Sequence, residues 1–294
     1  MANRLGVLPE KANDYLSPLL MRIITPCMVF SNIAGREIED GMLGSVLAAL
    51  LLSALYFAIF AVLGWFICVR LLKLRDDENC GIMILLFASI NNGFMGFPIT
   101  LAIFGEDKLF YMVFFQMSLM IFLYGPGIAL AHYGEKDPVS KSRMLAALGP
   151  GTIASILGLI VMFLGIKVPD FIFQPIDIIG DATTPVSMIV IGIQLGSSNF
   201  SGIIRNKKLV SMSVIKMALT PLITFLMVNW LPVSDTIKIV FIFGAAFPSA
   251  VAVTPIASME GKDASLAAEG VALTTLMSLI TLPVAAAVLT AIYM

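Results

Sequence analysis

The sequence predicts an all-α protein that crosses a membrane many times. Hydrophobic residues make up 59% of the 294 and charged residues only 13%, about half the charged share of an ordinary soluble domain. The mean hydropathy is +0.98. The apolar residues also fall into runs of about 20 or more, the length a helix needs to cross the hydrocarbon core. Nine such runs are read, at roughly 15–35, 42–69, 80–104, 109–132, 147–166, 171–199, 209–231, 237–259 and 264–293. The connections between them are short and polar, as in "REIEDG", "RLLKLRDDEN" and "IRNKK".

Taken in order, the first run carries Arg22, about 12 Å from its polar end, and Pro26. Arg22 either snorkels to the interface or serves as counter-charge to an anion. The second run contributes apolar packing. The third contains "NNGFMGFPIT" (91–100), in which two amides, two glycines and a proline interrupt an apolar helix. The fourth carries Pro126 and ends at His132, expected among the headgroups. The fifth is again packing. In the sixth, "GDATTP" sets Asp181 about 15 Å deep if the helix begins near 171, or makes it an N-terminal capping carboxylate if the helix begins at Gly180. The seventh carries Lys216, the better candidate for an anion's counter-charge. The eighth contains "PSAVAVTPIA" (248–257), and the ninth carries Glu269 near its start and Pro283. Asp181 and Glu269 are the candidates for proton or sodium coupling, with interfacial solvation the alternative for Glu269.

Other classes are disfavoured. A net charge of -1 gives no basis for a nucleic-acid partner. One histidine and three cysteines (Cys27, Cys68, Cys80) without metal spacing offer no metal site and no disulfide framework; the cysteines are read as buried fillers, and no cofactor is implied. No nucleophile–base pair or repeated acid pair lies at membrane depth, which argues against an enzyme. The opening "MANRLGVLPEKAND" lacks the apolar core of a signal peptide. Basic residues gather on one side. Arg4, Lys11, Arg70, Lys73, Arg75, Lys136, Lys141, Arg143, Arg205, Lys207, Lys208 and Lys262 lie at the N-terminus and the even-numbered loops, against Arg36, Lys108, Lys167 and Lys238 opposite. The first side is therefore read as cytoplasmic in a cell (inner) membrane, with the N-terminus inside and the C-terminus outside.

The two halves repeat. Asn91 and Pro98 are seven apart, as are Pro248 and Pro255; both second prolines are followed by Ile and later by a Gly-x-Asp turn, Gly105 to Asp107 and Gly261 to Asp263. Pro126 follows Pro98 by 28 residues, and Pro283 follows Pro255 by 28. Pro26 precedes Pro98 by 72, and Pro185 precedes Pro255 by 70. An offset of five spans inverts the second copy in the membrane, the pattern of secondary transporters with a site at the midplane. The expected repeats are 1–134, which lacks its first helix, and 147–294. At the breaks, half-helix N-termini offer free N–H groups to an anion. Asn91, Asn92, Ser249 and Thr254 supply polar side chains, while Gly93 and Gly96 permit close approach.

"NNGFMGFPI", "GDATTPVSMIVIGIQLG" (180–196), "KMALTPL" (216–222) and "RLGVLPEKANDYLSPLLMRIITPCMVF" together resemble the auxin efflux carrier family over essentially the whole chain. That family includes plant PIN carriers and bacterial malate or malonate permeases. The resemblance implies ten helices in two inverted five-helix repeats, like bile-acid/sodium symporters, of which this chain carries nine. It implies a scaffold domain (15–35 and 147–199), able to form a homodimer, and a mobile transport domain (42–132 and 209–293). It implies small organic anions as substrates, held where two broken helices cross by Asn91, Asn92, Pro98, Pro248 and Pro255. A membrane sensor or a channel on the same fold is the alternative.

Overall fold

A computed structural model describes residues 12–37, 41–75, 77–134, 149–197 and 203–294. The edges of two predicted spans (147–148 and 198–199) and the basic residues Arg4, Lys11, Lys136, Lys141 and Arg143 lie outside the described residues. Each predicted apolar run holds at least one helix, and the described residues contain no strand. We number the helices α1 (Ala12–Ala34), α2 (Met42–Leu71), α3 (Cys80–Phe104), α4 (Glu106–Tyr124), α5 (Pro150–Phe163), α6 (Asp170–Gly196), α7 (Lys207–Asn229), α8 (Asp235–Ala245, then Val253–Met259) and α9 (Ala264–Tyr293). Seven are long and apolar enough to cross a membrane as they stand; α5 is shorter, and α8 is divided in two. The chain is an all-α polytopic membrane protein.

The surface follows from the solvent. On α2, Leu43, Leu47, Leu51 and Leu55 are all exposed and recur every four residues, forming one apolar stripe. On α9, Ile280, Val284 and Val288 do the same. In water such stripes would be a liability; against lipid tails they are the expected outer face. By contrast α3 is buried along almost its whole length. Buried hydroxyls mostly satisfy themselves within their own helix: Ser53 donates to the Ala49 carbonyl and Thr224 to that of Thr220.

Much of the helix packing falls into two groups, bridged by the second half of α6, which packs against α3 and α9, and by α4, which touches α5. The second half of α1 packs against α5 and the first half of α6. Glycine makes this possible: a β-carbon at Gly158 would lie 3.0 Å from Ile33, and one at Gly180 only 2.7 Å from the Met28 Cα. The other group joins α2, α3, α4, α7, α8 and α9. An aromatic ladder runs through it, from Tyr56 on α2 to Phe115 on α4 (ring centroids 4.9 Å) and on to Phe241 on α8 (4.5 Å). The ends of the helices pair as their alternation requires. Arg36 after α1 meets Asp107 at the start of α4 (3.0 Å), and Asp77 before α3 approaches Lys208 on α7 (3.9 Å).

His132, expected among the headgroups, has a protein partner that the sequence did not indicate: its Nε2 lies 2.8 Å from Oε2 of Glu260, a buried carboxylate just past α8. One expectation needs correction. Pro126 and Pro283 occupy equivalent positions in sequence but differ in structure. Pro126 restarts a short helix, Pro126–Ala131, after a break at Gly125, whereas Pro283 sits inside the unbroken α9.

Because the Gly180 contact is with backbone, which cannot swing aside, Gly180→Ala should destabilise the protein by about 1–3 kcal/mol. Gly192→Ala on the same helix, where a β-carbon meets open space, should be close to neutral. Thermal unfolding of both variants in detergent checks this.

Candidate functional site

Two helices are interrupted, and their interruptions meet. α3 stops at Ala88, runs extended through Ser89 to Asn91, and resumes as a π-turn, Asn92–Gly96, followed by the α-helix Phe97–Phe104. We call the flanking helices α3a (Cys80–Ala88) and α3b (Phe97–Phe104). α8 stops at Ala245, unwinds, and resumes at Val253, giving α8a (Asp235–Ala245) and α8b (Val253–Met259). The Asn91 amide donates to the Pro248 carbonyl at 2.8 Å, and the Ala250 amide to the Ser89 hydroxyl at 3.2 Å. The unwound strands thus satisfy part of each other's backbone, which lipid could not do.

The prolines are not the points of rupture. Pro255 lies in the first turn of α8b, where a missing N–H costs little, and Pro98 lies six residues after the chain has resumed at Asn92, in the helix that runs on from the π-turn. Pro248 is the exception and lies within the unwound stretch.

One side chain from a third helix holds the assembly. Lys216 on α7 is fully buried. Its ammonium has three donors, and three protein oxygens receive them: the carbonyls of Leu86 (2.7 Å) and Ser89, and the Ser249 hydroxyl (2.8 Å). Two of these belong to the C-terminal end of α3a, where unpaired carbonyls concentrate negative potential. Ser249 Oγ also donates to Leu86 O (2.7 Å), and the Ser249 amide donates to the Thr274 hydroxyl of α9 (3.1 Å). One turn on from Lys216, Thr220 Oγ1 donates to Ala245 O (2.8 Å), the last residue of α8a. A single face of α7 therefore caps the ends of both interrupted helices.

Beside this knot lies a group of polar atoms with no hydrogen-bond partner among the described residues. They are Asn91 Nδ2, both Nδ2 and Oδ1 of Asn92, Gln116 Oε1 on α4 and Thr100 Oγ1 on α3b. Asn91 is half engaged, since its Oδ1 accepts from the Phe94 amide (3.3 Å) and caps the following turn. The Asn92 side chain has no partner at either atom among the described residues, and Asn92 is fully buried. Glycines let these groups come together: a β-carbon at Gly93 would meet Gln116 Nε2 at 3.3 Å, and one at Gly244 would stand 3.8 Å from Asn92 Oδ1.

The sequence-selected residues divide accordingly. Asn91, Asn92, Gly93, Pro98, Pro248 and Ser249 are buried at or next to the meeting point. Thr254 is half-buried and Pro255 exposed, both on α8b beyond it. Arg22 is exposed on a π-turn of α1. Asp181 is exposed and ends the first helical segment of α6, Asp170–Asp181, so the capping alternative, which required a helix starting at Gly180, does not hold. Glu269 is half-buried near the start of α9. Sequence reasoning missed Ser89, Thr220, Thr274 and Gln116. Thr220 alone had a legible signal, standing four residues after Lys216 on one helix face.

A family model described as membrane transport protein matches residues 1–286. The chain belongs to this family, the auxin efflux carriers. It is 24% identical to an uncharacterized transporter of Methanocaldococcus jannaschii over 94% of this chain and 90% of the relative. It is also 24% identical to an uncharacterized transporter of Methanothermobacter thermautotrophicus, over 97% of this chain and 92% of that protein.

Lys216→Met would leave the Ser89 carbonyl and one Ser249 lone pair facing an apolar side chain. Buried acceptors stripped of donors cost about 1–3 kcal/mol each, so the variant should lose on the order of 2–5 kcal/mol. Its melting temperature in detergent should fall well below that of Leu222→Met, a change at an exposed position of the same helix.

Proposed function

We propose that this family member is a secondary transporter for a small organic anion, a mono- or dicarboxylate, bound where the two interrupted helices cross. The observation that carries this reading is the set of unpartnered amide atoms on Asn91, Asn92 and Gln116 at the meeting of two unwound strands. Buried polar groups are normally satisfied, and a ligand is the natural partner for those that are not.

The chemistry suits a carboxylate with a second polar group. Asn91 Nδ2 and Asn92 Nδ2 are donors for the carboxylate oxygens; Asn92 Oδ1 and Gln116 Oε1 are acceptors for a hydroxyl or a protonated acid. The amides of the turn that opens α3b add partial positive charge. Lys216 is best read as a clamp and not as the substrate's counter-charge, because its donors already have partners. A co-transported proton or sodium ion would then balance the anion's charge, with Asp181 and Glu269 the candidates to carry it.

The packing supports a division of labour. α1, α5 and α6 are read as the scaffold, by which two copies would pair. α2 to α4 and α7 to α9 are read as the transport unit. Lys216 ties α7 to both interruptions, so that unit would move as one body and carry the site between the two faces. The basic bias of the loops supports a cytoplasmic N-terminus.

Uptake of radiolabelled mono- and dicarboxylates into proteoliposomes, under imposed proton or sodium gradients, tests the reading. Asn92→Ala should lower transport by about tenfold or more, the worth of a hydrogen bond to a charged group, without lowering the melting temperature. Asn91→Ala should lower both, because Asn91 also caps a turn. Wild-type transport by a folded Asn92→Ala protein would overturn the assignment. Saturable binding with no uptake in any gradient would indicate a sensor instead.

A further inference from the structure

We infer that a second anion site, specific for a phosphate group, lies at the C-terminal end of α2 and shares no residue with the proposed transport site. A cavity of about 170 Å³ opens there, lined by Trp65, Val69, Arg70, Arg75 and Tyr133. Neither arginine has a hydrogen bond or ion pair with any carboxylate in the described structure, although Asp77 is two residues from Arg75 and pairs with Lys208 instead. Both arginines are exposed, and two positive charges beside one cavity favour an anionic occupant.

The local backbone is built to bring them together. α2 ends in a π-turn, Phe66–Leu71, which carries Arg70. The Leu74 amide then reaches back to the Cys68 carbonyl (2.9 Å), and the chain reverses through Lys73 at φ +53°. A lysine rarely adopts this left-handed conformation. The reversal returns Arg75 to the cavity that Arg70 already lines. π-turns of this kind are frequent at functional positions.

Chemistry selects the ligand. Guanidinium groups match phosphate oxygens with paired hydrogen bonds. Trp65 and Tyr133 are the side chains that prefer the level of lipid headgroups, and basic pockets at the end of a span that gathers positive charge are suited to anionic headgroups. The shared ligand is thus a phosphate ester, from a lipid headgroup or from a small phosphate in the aqueous phase.

The chain has two tryptophans, so Trp230→Phe leaves Trp65 as the sole reporter inside the cavity. Its fluorescence should change saturably in one or both of two titrations: inorganic phosphate added to detergent-solubilised protein, and phosphatidylglycerol replacing phosphatidylcholine in nanodiscs. A response to phosphatidylglycerol alone assigns the headgroup; a response to phosphate in detergent assigns the soluble anion. Arg70→Gln and Arg75→Gln, each in that background, should weaken the response at least about tenfold. Each variant is accepted only with an unchanged melting temperature, and Arg75→Lys serves where Arg75→Gln does not fold. No saturable change with either ligand, or an undiminished response in the folded arginine variants, would overturn the site.

Discussion

The architecture turns on one buried ammonium. Interrupting a membrane helix leaves backbone groups that lipid cannot hydrate, and each unpaired group is expensive. This protein interrupts two helices at the same depth of the fold. The strands between the half-helices pair with each other at Asn91 and Pro248, but the carbonyl end of α3a would remain open. Lys216 closes it and reaches Ser249 of the other interruption with its remaining donor. An ammonium suits this place because it brings three donors into a region of concentrated negative potential. Thr220, on the same face of α7, does the corresponding work for α8a.

That arrangement leaves the opposite side of the interruption polar and uncommitted. Among the described residues nothing uses the Asn92 carboxamide, and Gln116 lies beside Gly93 with an unpaired oxygen. A site made of amides can offer donors and acceptors together, whereas a cation offers donors alone. As the proposed substrate site, it would discriminate by hydrogen-bonding pattern more than by charge. Glycines at positions 93 and 244 are what let α3, α4 and α8 approach closely enough to gather these groups.

Much of this was legible in the sequence. The nine apolar runs follow from the length a membrane demands, and the paired interruptions follow from a spacing of seven residues repeated in two halves. Asn91, Asn92 and Ser249 stood out because polar side chains are costly in lipid. The sequence misled where it equated Pro98 and Pro255 with the break: in both helices the chain opens several residues earlier, Pro255 stands in the first turn of α8b, and Pro98 follows the π-turn with which α3 resumes. For Lys216, depth alone suggested a ligand's partner; the structure adds the Ser249 hydroxyl and two backbone carbonyls some 130 residues away in sequence. Carbonyls carry no sequence signal, so no pattern could have revealed them. Gln116 was hidden for a similar reason, since only the fold brings α4 to Gly93. Asp181 and Arg22 were conspicuous as charges within apolar runs, yet both are exposed.

The central claim is that Lys216 holds the two interruptions together while the amides beside it receive the substrate. An experimental structure with a transported carboxylate bound tests this most directly. The account predicts carboxylate oxygens within hydrogen-bond distance of the Asn91 and Asn92 amides, with Lys216 still bonded to Leu86 and Ser249. A carboxylate paired with the Lys216 ammonium, drawn away from those oxygens, would contradict it, as would a substrate bound away from both interruptions.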